Sequence, residues 1–444
     1  MVVENRQAAR CTTYALSPID LAQGDSHIMF VYFYSNRYHS PLFMPTDLLL
    51  RGFRMATERF GILLGTLQSV SGRPVLVHDL TQPNAPRFEE KAVDMAFSEL
   101  SATKYAWNRW PQNLDTCDVI EPVTTKDAAN SVPLISVLLI RFAKNSGVAL
   151  RIKIRHSVLD GLGFTSFMSY WCASARQLCS AGKIIAGLDN DILDFDRNTL
   201  LQAVRYESAA PSLLVEEPDM STTANTTPSR QAKAFGMHVI RFTARSLQRL
   251  RSDIESGADY VSVNDALTTL LWRSFTRASP PSANTRIMLA CDARKRINLS
   301  ALYMGNASFP LQLSIAREQI LVKPMSEVAR LVRSRVSQVD IGYIRECLGM
   351  LEHNQPILGA DEWENNKSTF FCCTNCSRFE FFKTDFGYGE PEKVMIPHYL
   401  TPGFSIWLPT KDAGGIDVVI SMLDSSFDVL RLDRELLGYG QIII

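Results

Sequence analysis

The segment Ile152-Lys153-Ile154-Arg155-His156-Ser157-Val158-Leu159-Asp160-Gly161-Leu162-Gly163 carries the residue types best suited to chemistry. Imidazole has an ordinary pKa of about 6.5, so it can take up and release a proton near neutral pH. Strand alternation places Val148, Leu150, Ile152, Ile154 and His156 on one face. Ala149, Arg151, Lys153 and Arg155 fall on the other. His156 thus ends an apolar stripe and points inward at the mouth of the strand. Asp160 follows four residues later, in a turn that can fold back towards the ring. Gly161 and Gly163 permit a tight reversal into a helix over about 162–179 and leave room for a ligand. A histidine held through one nitrogen can accept a proton on the other, which is general-base chemistry. The residues alone fit a satisfied, half-buried histidine at a strand end equally well.

The elements that must position this segment are readable from pattern. Leu134–Phe142 and Val148–His156 read as two strands joined through Asn145-Ser146-Gly147, a hairpin with good turn chemistry. Ile28–Tyr34 is a further strand, and 47–67 reads as an amphipathic helix. Downstream, 238–242, 286–291 and 417–423 read as strands. Ser262, with Asp265 three residues on, opens a helix to Ala278 in the manner of a capping box. Thr369-Phe370-Phe371 and Phe379–Phe382 also look like buried strands. The pattern is α/β with antiparallel hairpins, without the strict βαβ alternation of a nucleotide-binding sheet.

Composition excludes several function classes. Among 444 residues, 46 basic and 46 acidic side chains cancel, so no global field draws the chain to nucleic acid or an anionic membrane. No apolar run reaches the length of a bilayer span, and 1–10 lacks a signal-peptide core. Nine cysteines without framework spacing fit a reduced, cytoplasmic setting. The sequons at Asn225, Asn298, Asn306, Asn366 and Asn375 are then chance matches. Cys372, Cys373 and Cys376 have no second Cys/His pair at zinc spacing and read as core thiols, so no metal is implied. Pro and small polar residues without periodicity make 207–233 a linker between lobes at 1–206 and 234–444.

Six blocks then stand in order along nearly the whole chain. His156-Ser157-Val158-Leu159-Asp160-Gly161 resembles the HxxxDG motif of the BAHD acyltransferases, and Asp385-Phe386-Gly387-Tyr388-Gly389 resembles their DFGWG motif, with Tyr388 in place of Trp. Leu16–Asp20 resembles the LSPxD stretch, and Ser262–Arg273 the family's central helix. Asp292–Arg296 and Tyr303–Asn306 resemble its DxRxR and YxGN blocks. In style the chain is similar to fungal secondary-metabolite members such as the trichothecene acetyltransferases.

The resemblance implies a two-lobed, chloramphenicol-acetyltransferase-like α/β fold. In it, mixed sheets and helices flank an interdomain channel, and a segment near 380–398 returns to the first lobe. It also implies a monomeric, acyl-coenzyme A-dependent O-acyltransferase, with N-acyl transfer open to it. The co-substrate is acyl-CoA, no cofactor is bound permanently, and the acceptor is a small hydroxylated or amine metabolite. His156 would be the base, with no acyl-enzyme. Asp160 would pair with Arg294, or with Arg296 as second choice, while Gly161, Asp385, Gly387 and Gly389 would support the site. Family members often carry a Ser/Thr-Trp pair before DFGWG; here Thr374-Asn375-Cys376 stands there, so Thr374 or Asn375 would be the oxyanion donor. Three alternatives remain: a carrier-protein donor, which usually goes with a second adjacent histidine where Arg155 stands; cyclisation in the same channel; and a non-catalytic ligand-binding relative.

Overall fold

The computed structural model describes residues 11–70, 73–81, 83–111, 114, 132–181, 191–206, 235–255, 260–353, 370–397 and 400–444. The linker expected over 207–233 lies outside them.

A five-stranded sheet carries the histidine segment. Its order is Lys393–Met395, His27–Ser35, Gly147–Arg155, Ile135–Arg141, Arg87–Ala92, antiparallel except for the last pair. The expected hairpin is present, with a 3-10 turn at Ala143–Asn145. Gly147–Arg155 is central, and even its basic residues Arg151 and Lys153 are buried. Both faces are therefore covered, and alternation along this strand does not separate core from solvent. The helix Gly161–Ala181 packs against Thr46–Arg59, where Trp171 Nε1 donates to the Leu49 carbonyl at 2.9 Å.

A seven-stranded mixed sheet forms the other half. Its order is Ser308–Ala316, Asn284–Asp292, Phe370–Asn375, Phe404–Pro409, Ile416–Leu423, Phe235–Phe242, Gln441–Ile442. The helix Val263–Ala278 is buried against it almost all round. Its start is the expected capping box: Ser262 Oγ accepts from Asp265 N, and the Asp265 carboxylate accepts from Ser262 N at 2.9 Å. A small third sheet joins Cys11–Ala15, Arg73–Asp79 and Thr66–Val70.

Two expectations need correction. The helix over 47–67 ends at Arg59: Phe60 leaves helical geometry (φ −99°, ψ 55°), a 3-10 turn follows at Gly61–Leu64, and Thr66–Val70 pairs as a strand with Arg73–Asp79. Long-range pairing overrides the helical apolar spacing there. Phe379–Phe382 is not a strand. Local bonds close it into a turn and a 3-10 segment (Phe379 N to Cys376 O, 3.0 Å), and Phe381 packs on Phe30 with ring centroids 4.6 Å apart.

The chain crosses between the sheets through Lys393–Met395, which forms an edge of the first sheet. Lys393 Nζ lies 2.5 Å from Asp417 of the second sheet, which also receives Arg241 at 2.7 and 2.8 Å. Trp107 Nε1 donates to the Ile396 carbonyl at 2.8 Å, fixing the same crossing. Among the described residues no helix is long and apolar enough to cross a membrane.

Candidate active site

The last residue of the central strand is Arg155, and His156 is the first residue beyond it. Its backbone N–H donates to the Ser26 carbonyl at 2.9 Å, continuing the pairing with the neighbouring strand. The tight reversal expected at the glycines follows: Asp160 Oδ1 accepts from the N–H groups of Leu162 and Gly163, both at 3.1 Å, and so caps the helix. A Cβ on Gly161 would fall 2.8 Å from the Phe379 ring, so glycine lets that aromatic close over the turn.

Asp160 and Arg294 meet as expected, 2.8 Å apart and both buried. Arg294 also donates to the carbonyls of Tyr303 and Gly305, and Asp160 Oδ2 accepts from Ala307 N at 3.2 Å. The second-choice arginine, Arg296, is turned elsewhere and donates to the Val339 carbonyl at 3.0 Å. Asp160 is thus taken up in an ion pair between the two halves of the chain.

His156 itself is half-buried. Its Nδ1 is sealed from solvent and makes no hydrogen bond, whereas Nε2 has no hydrogen-bond partner among the described residues. Burial pulls the ring below its ordinary pKa. Its own carbonyl, Asp160, Asn306 and Asp20 pull the other way without overcoming burial. At neutral pH the ring is therefore uncharged, the form a base needs.

Three further residues hold this turn, and spacing gave no role to any of them. Asn306, 1% exposed, donates through Nδ2 to the His156 carbonyl at 2.8 Å and to Asp20 Oδ1 at 2.7 Å. Asp20, fully buried, is also bound by Ser17 and by Arg197 Nε at 3.1 Å. Arg197 reaches the Val158 carbonyl at 2.5 Å. Asp20 and Asn306 sit in the LSPxD-like and YxGN-like blocks, so motif order was the one signal available for them. Nothing in the sequence marks Arg197.

Among the described residues, no hydrogen bond joins the remaining expected residues to this cluster. Asp385 Oδ1 accepts from the N–H groups of Gly387, Tyr388 and Gly389 at 2.7, 3.0 and 2.9 Å. Both glycines have φ near +100°, which a side chain would strain. Arg176 donates to the Asp385 carbonyl, and Phe386 packs on Trp171 at 5.0 Å. This block braces the first half of the chain, and Tyr388 contacts Phe43 by its ring edge. Asn375 donates to Asn264 at 2.8 Å and accepts from Ser377. Thr374 is half-buried one residue before it, and Cys372, Cys373 and Cys376 are buried free thiols. Among the described residues, no group of three or more His, Cys, Asp or Glu converges as for a metal.

Comparison with known proteins identifies the family and the fold. The sequence profile of the Transferase family matches residues 2–437. The chain is similar to hydroxycinnamoyltransferase 2 of Oryza sativa subsp. japonica, 28% identical over 339 residues and 72% of each chain. It is also similar to the trichothecene 3-O-acetyltransferase of Fusarium sporotrichioides, 23% identical over 328 residues, or 70% of this chain and 68% of that one. The crystal structure of the F. graminearum counterpart, complexed with coenzyme A and T-2 mycotoxin, shares the fold at a TM-score of 0.77 and 18% identity. That match covers 98% of this chain and 100% of the other.

Proposed function

Because the chain belongs to the Transferase family of BAHD-type, acyl-coenzyme A-dependent acyltransferases, we propose that it transfers an acyl group to a hydroxyl or amine of a small secondary metabolite with His156 as general base. The observation that carries this reading is the state of the imidazole: uncharged, with an Nε2 that has no partner among the described residues, in a turn held by Asn306 and the Asp160–Arg294 pair. Nε2 takes the proton as the acceptor oxygen or nitrogen attacks the thioester carbonyl. The tetrahedral intermediate collapses, the carbon–sulfur bond breaks, and the thiolate recovers the proton from the imidazolium. Both substrates bind together and no acyl-enzyme forms. Thr374 is the candidate donor to the oxyanion, because the Asn375 amide is engaged with Asn264.

The relatives' names support both acetyl and hydroxycinnamoyl donors, and both hydroxyl and amine acceptors. We read 1–206 and 234–444 as lobes with the substrates meeting at His156 from a channel between them. In support, the His156 turn is held by second-half residues Arg294 and Asn306, and Lys393–Met395 returns to the first sheet. A reduced, cytoplasmic setting fits the eight free thiols among the described cysteines, and we read the protein as a monomer.

Mass analysis of product and protein tests the reading. Acyl-CoA and an acceptor are expected to give a product heavier by one acyl group and a protein of unchanged mass. A product of unchanged mass means cyclisation, and an acylated protein means a covalent route; either contradicts the proposal.

A further inference from the structure

The His156 turn leaves two buried polar atoms without partners: His156 Nδ1 and Asn306 Oδ1. Each orphan carries a cost comparable to a lost hydrogen bond, so their presence on adjacent side chains needs a reason.

The orientation of the Asn306 amide supplies it. The two ends of an asparagine amide have the same shape, and their neighbours decide which is nitrogen. One end of Asn306 meets the Asp20 carboxylate at 2.7 Å and the His156 carbonyl at 2.8 Å. Both partners only accept, so that end is the NH2 group. Asp20 Oδ1 also receives the Asn306 backbone N–H at 3.2 Å, and Asp20 Oδ2 is taken by Ser17 and Arg197. The amide has no freedom to flip, and its oxygen is the buried, unpartnered end of a side chain that acts on the His156 ring. The His156 carbonyl is the other acceptor beside that ring. Both oxygens act on the ring, and Nδ1 is its buried, unpartnered nitrogen. A lone pair there would face two oxygens, whereas a proton satisfies both.

We propose that Asn306, held in orientation by Asp20, is a positioning residue that fixes His156 with its proton on Nδ1 and its lone pair on Nε2. This rests on the reading of His156 as the base. When Nε2 takes the acceptor's proton, the imidazolium keeps Nδ1–H on Asn306, whose amide is polarised by the Asp20 carboxylate. The charged groups around the ring are Asp20 and Asp160, paired with Arg197 and Arg294 respectively. They leave Asn306 as the side-chain acceptor for Nδ1.

The test is the imidazole 15N spectrum of the full chain labelled in histidine, at a pH where the ring is neutral. His156→Gln identifies the signals. A pyrrole-type Nδ1 with a pyridine-type Nε2 is expected, and the reverse pattern overturns the inference. Asn306→Ala should lose this preference and lower kcat roughly tenfold or more, part of the about 100- to 10,000-fold a general base supplies. The acid limb of kcat/KM should move to lower pH, with KM for acyl-CoA little changed. An unchanged tautomer and limb in that variant would make Asn306 merely structural and overturn the inference. If Asn306→Ala does not fold, the wild-type spectrum still decides. A reversed tautomer with inactive His156→Ala sinks the Asn306 role alone; active His156→Ala sinks the base reading and this inference together.

Discussion

Replacing Asp160 separates a structural carboxylate from a proton carrier. The side chains of Asp160 and Arg294 are both 4% exposed and 2.8 Å apart. Removing one partner of such a buried pair typically costs about 3–5 kcal/mol, because the other charge stays buried. Asp160→Ala also deletes the acceptor that caps Leu162 and Gly163, and caps are typically worth about 0.5–2 kcal/mol. The losses overlap, since Arg294 keeps Asp292 and two carbonyls as partners. A destabilisation of about 3–5 kcal/mol is expected, a large share of the roughly 5–15 kcal/mol that holds most domains folded. Asp160→Asn keeps one oxygen for the cap but loses the charge and turns an NH2 group towards Arg294 and the Ala307 N–H, so it should cost less than Ala only by the cap it retains. Denaturant midpoints for the two variants, with kcat measured on the folded fraction, make the test. The reasoning predicts the order Ala worse than Asn in stability, with Asn keeping measurable turnover. A stable Asp160→Asn protein as inactive as His156→Ala would refute it, because the carboxylate would then take part in proton transfer.

Two further outcomes follow from the charges. Burial holds His156 below its ordinary pKa of about 6.5, so the neutral base persists on the acid side of that value. The acid limb of kcat/KM should fall below pH 6.5, and a limb above it would contradict the assignment. Asp417 is the junction between the two sheets. Burial alone would raise its pKa, but Arg241 and Lys393 outweigh burial and hold it below the ordinary carboxylate value. Its stabilising contribution is therefore present above the unfolded value, near 3.9, and lost as pH falls through the lower folded one. Asp417→Ala would leave Lys393 buried without its carboxylate. A loss of about 3 kcal/mol is expected in chemical denaturation, towards the low end because Arg241 is 37% exposed. A loss under about 1 kcal/mol would show that the junction does not hold the sheets together.

The legible parts of this protein are the local ones. The His156–Asp160–Gly161 turn follows from strand alternation and two glycines within twelve residues, and the capping box from Ser262 to Asp265 spans only four. Asp20 and Asn306 are 286 residues apart, and no periodicity says that they touch. Arg197 reads as an ordinary charge until its side chain, 2% exposed, is seen bridging Asp20 and the Val158 carbonyl. The helix read over 47–67 ran too far because pairing to Arg73–Asp79 is a non-local term. The aromatic run at 379–382 has the composition of a strand, yet its rings pack on the first-half core from a turn. Asn306, a sequon by pattern, is a buried hydrogen-bond hub. In each case what was hidden is an interaction between distant segments.

The central claim is tested most directly by following thiol release from acyl-CoA in the presence of a panel of hydroxylated and amine acceptors, with the wild-type chain and His156→Ala side by side. Acceptor-dependent release by the wild type that falls about 100-fold or more in a folded His156→Ala variant is the result predicted. Equal release by the two proteins would contradict it.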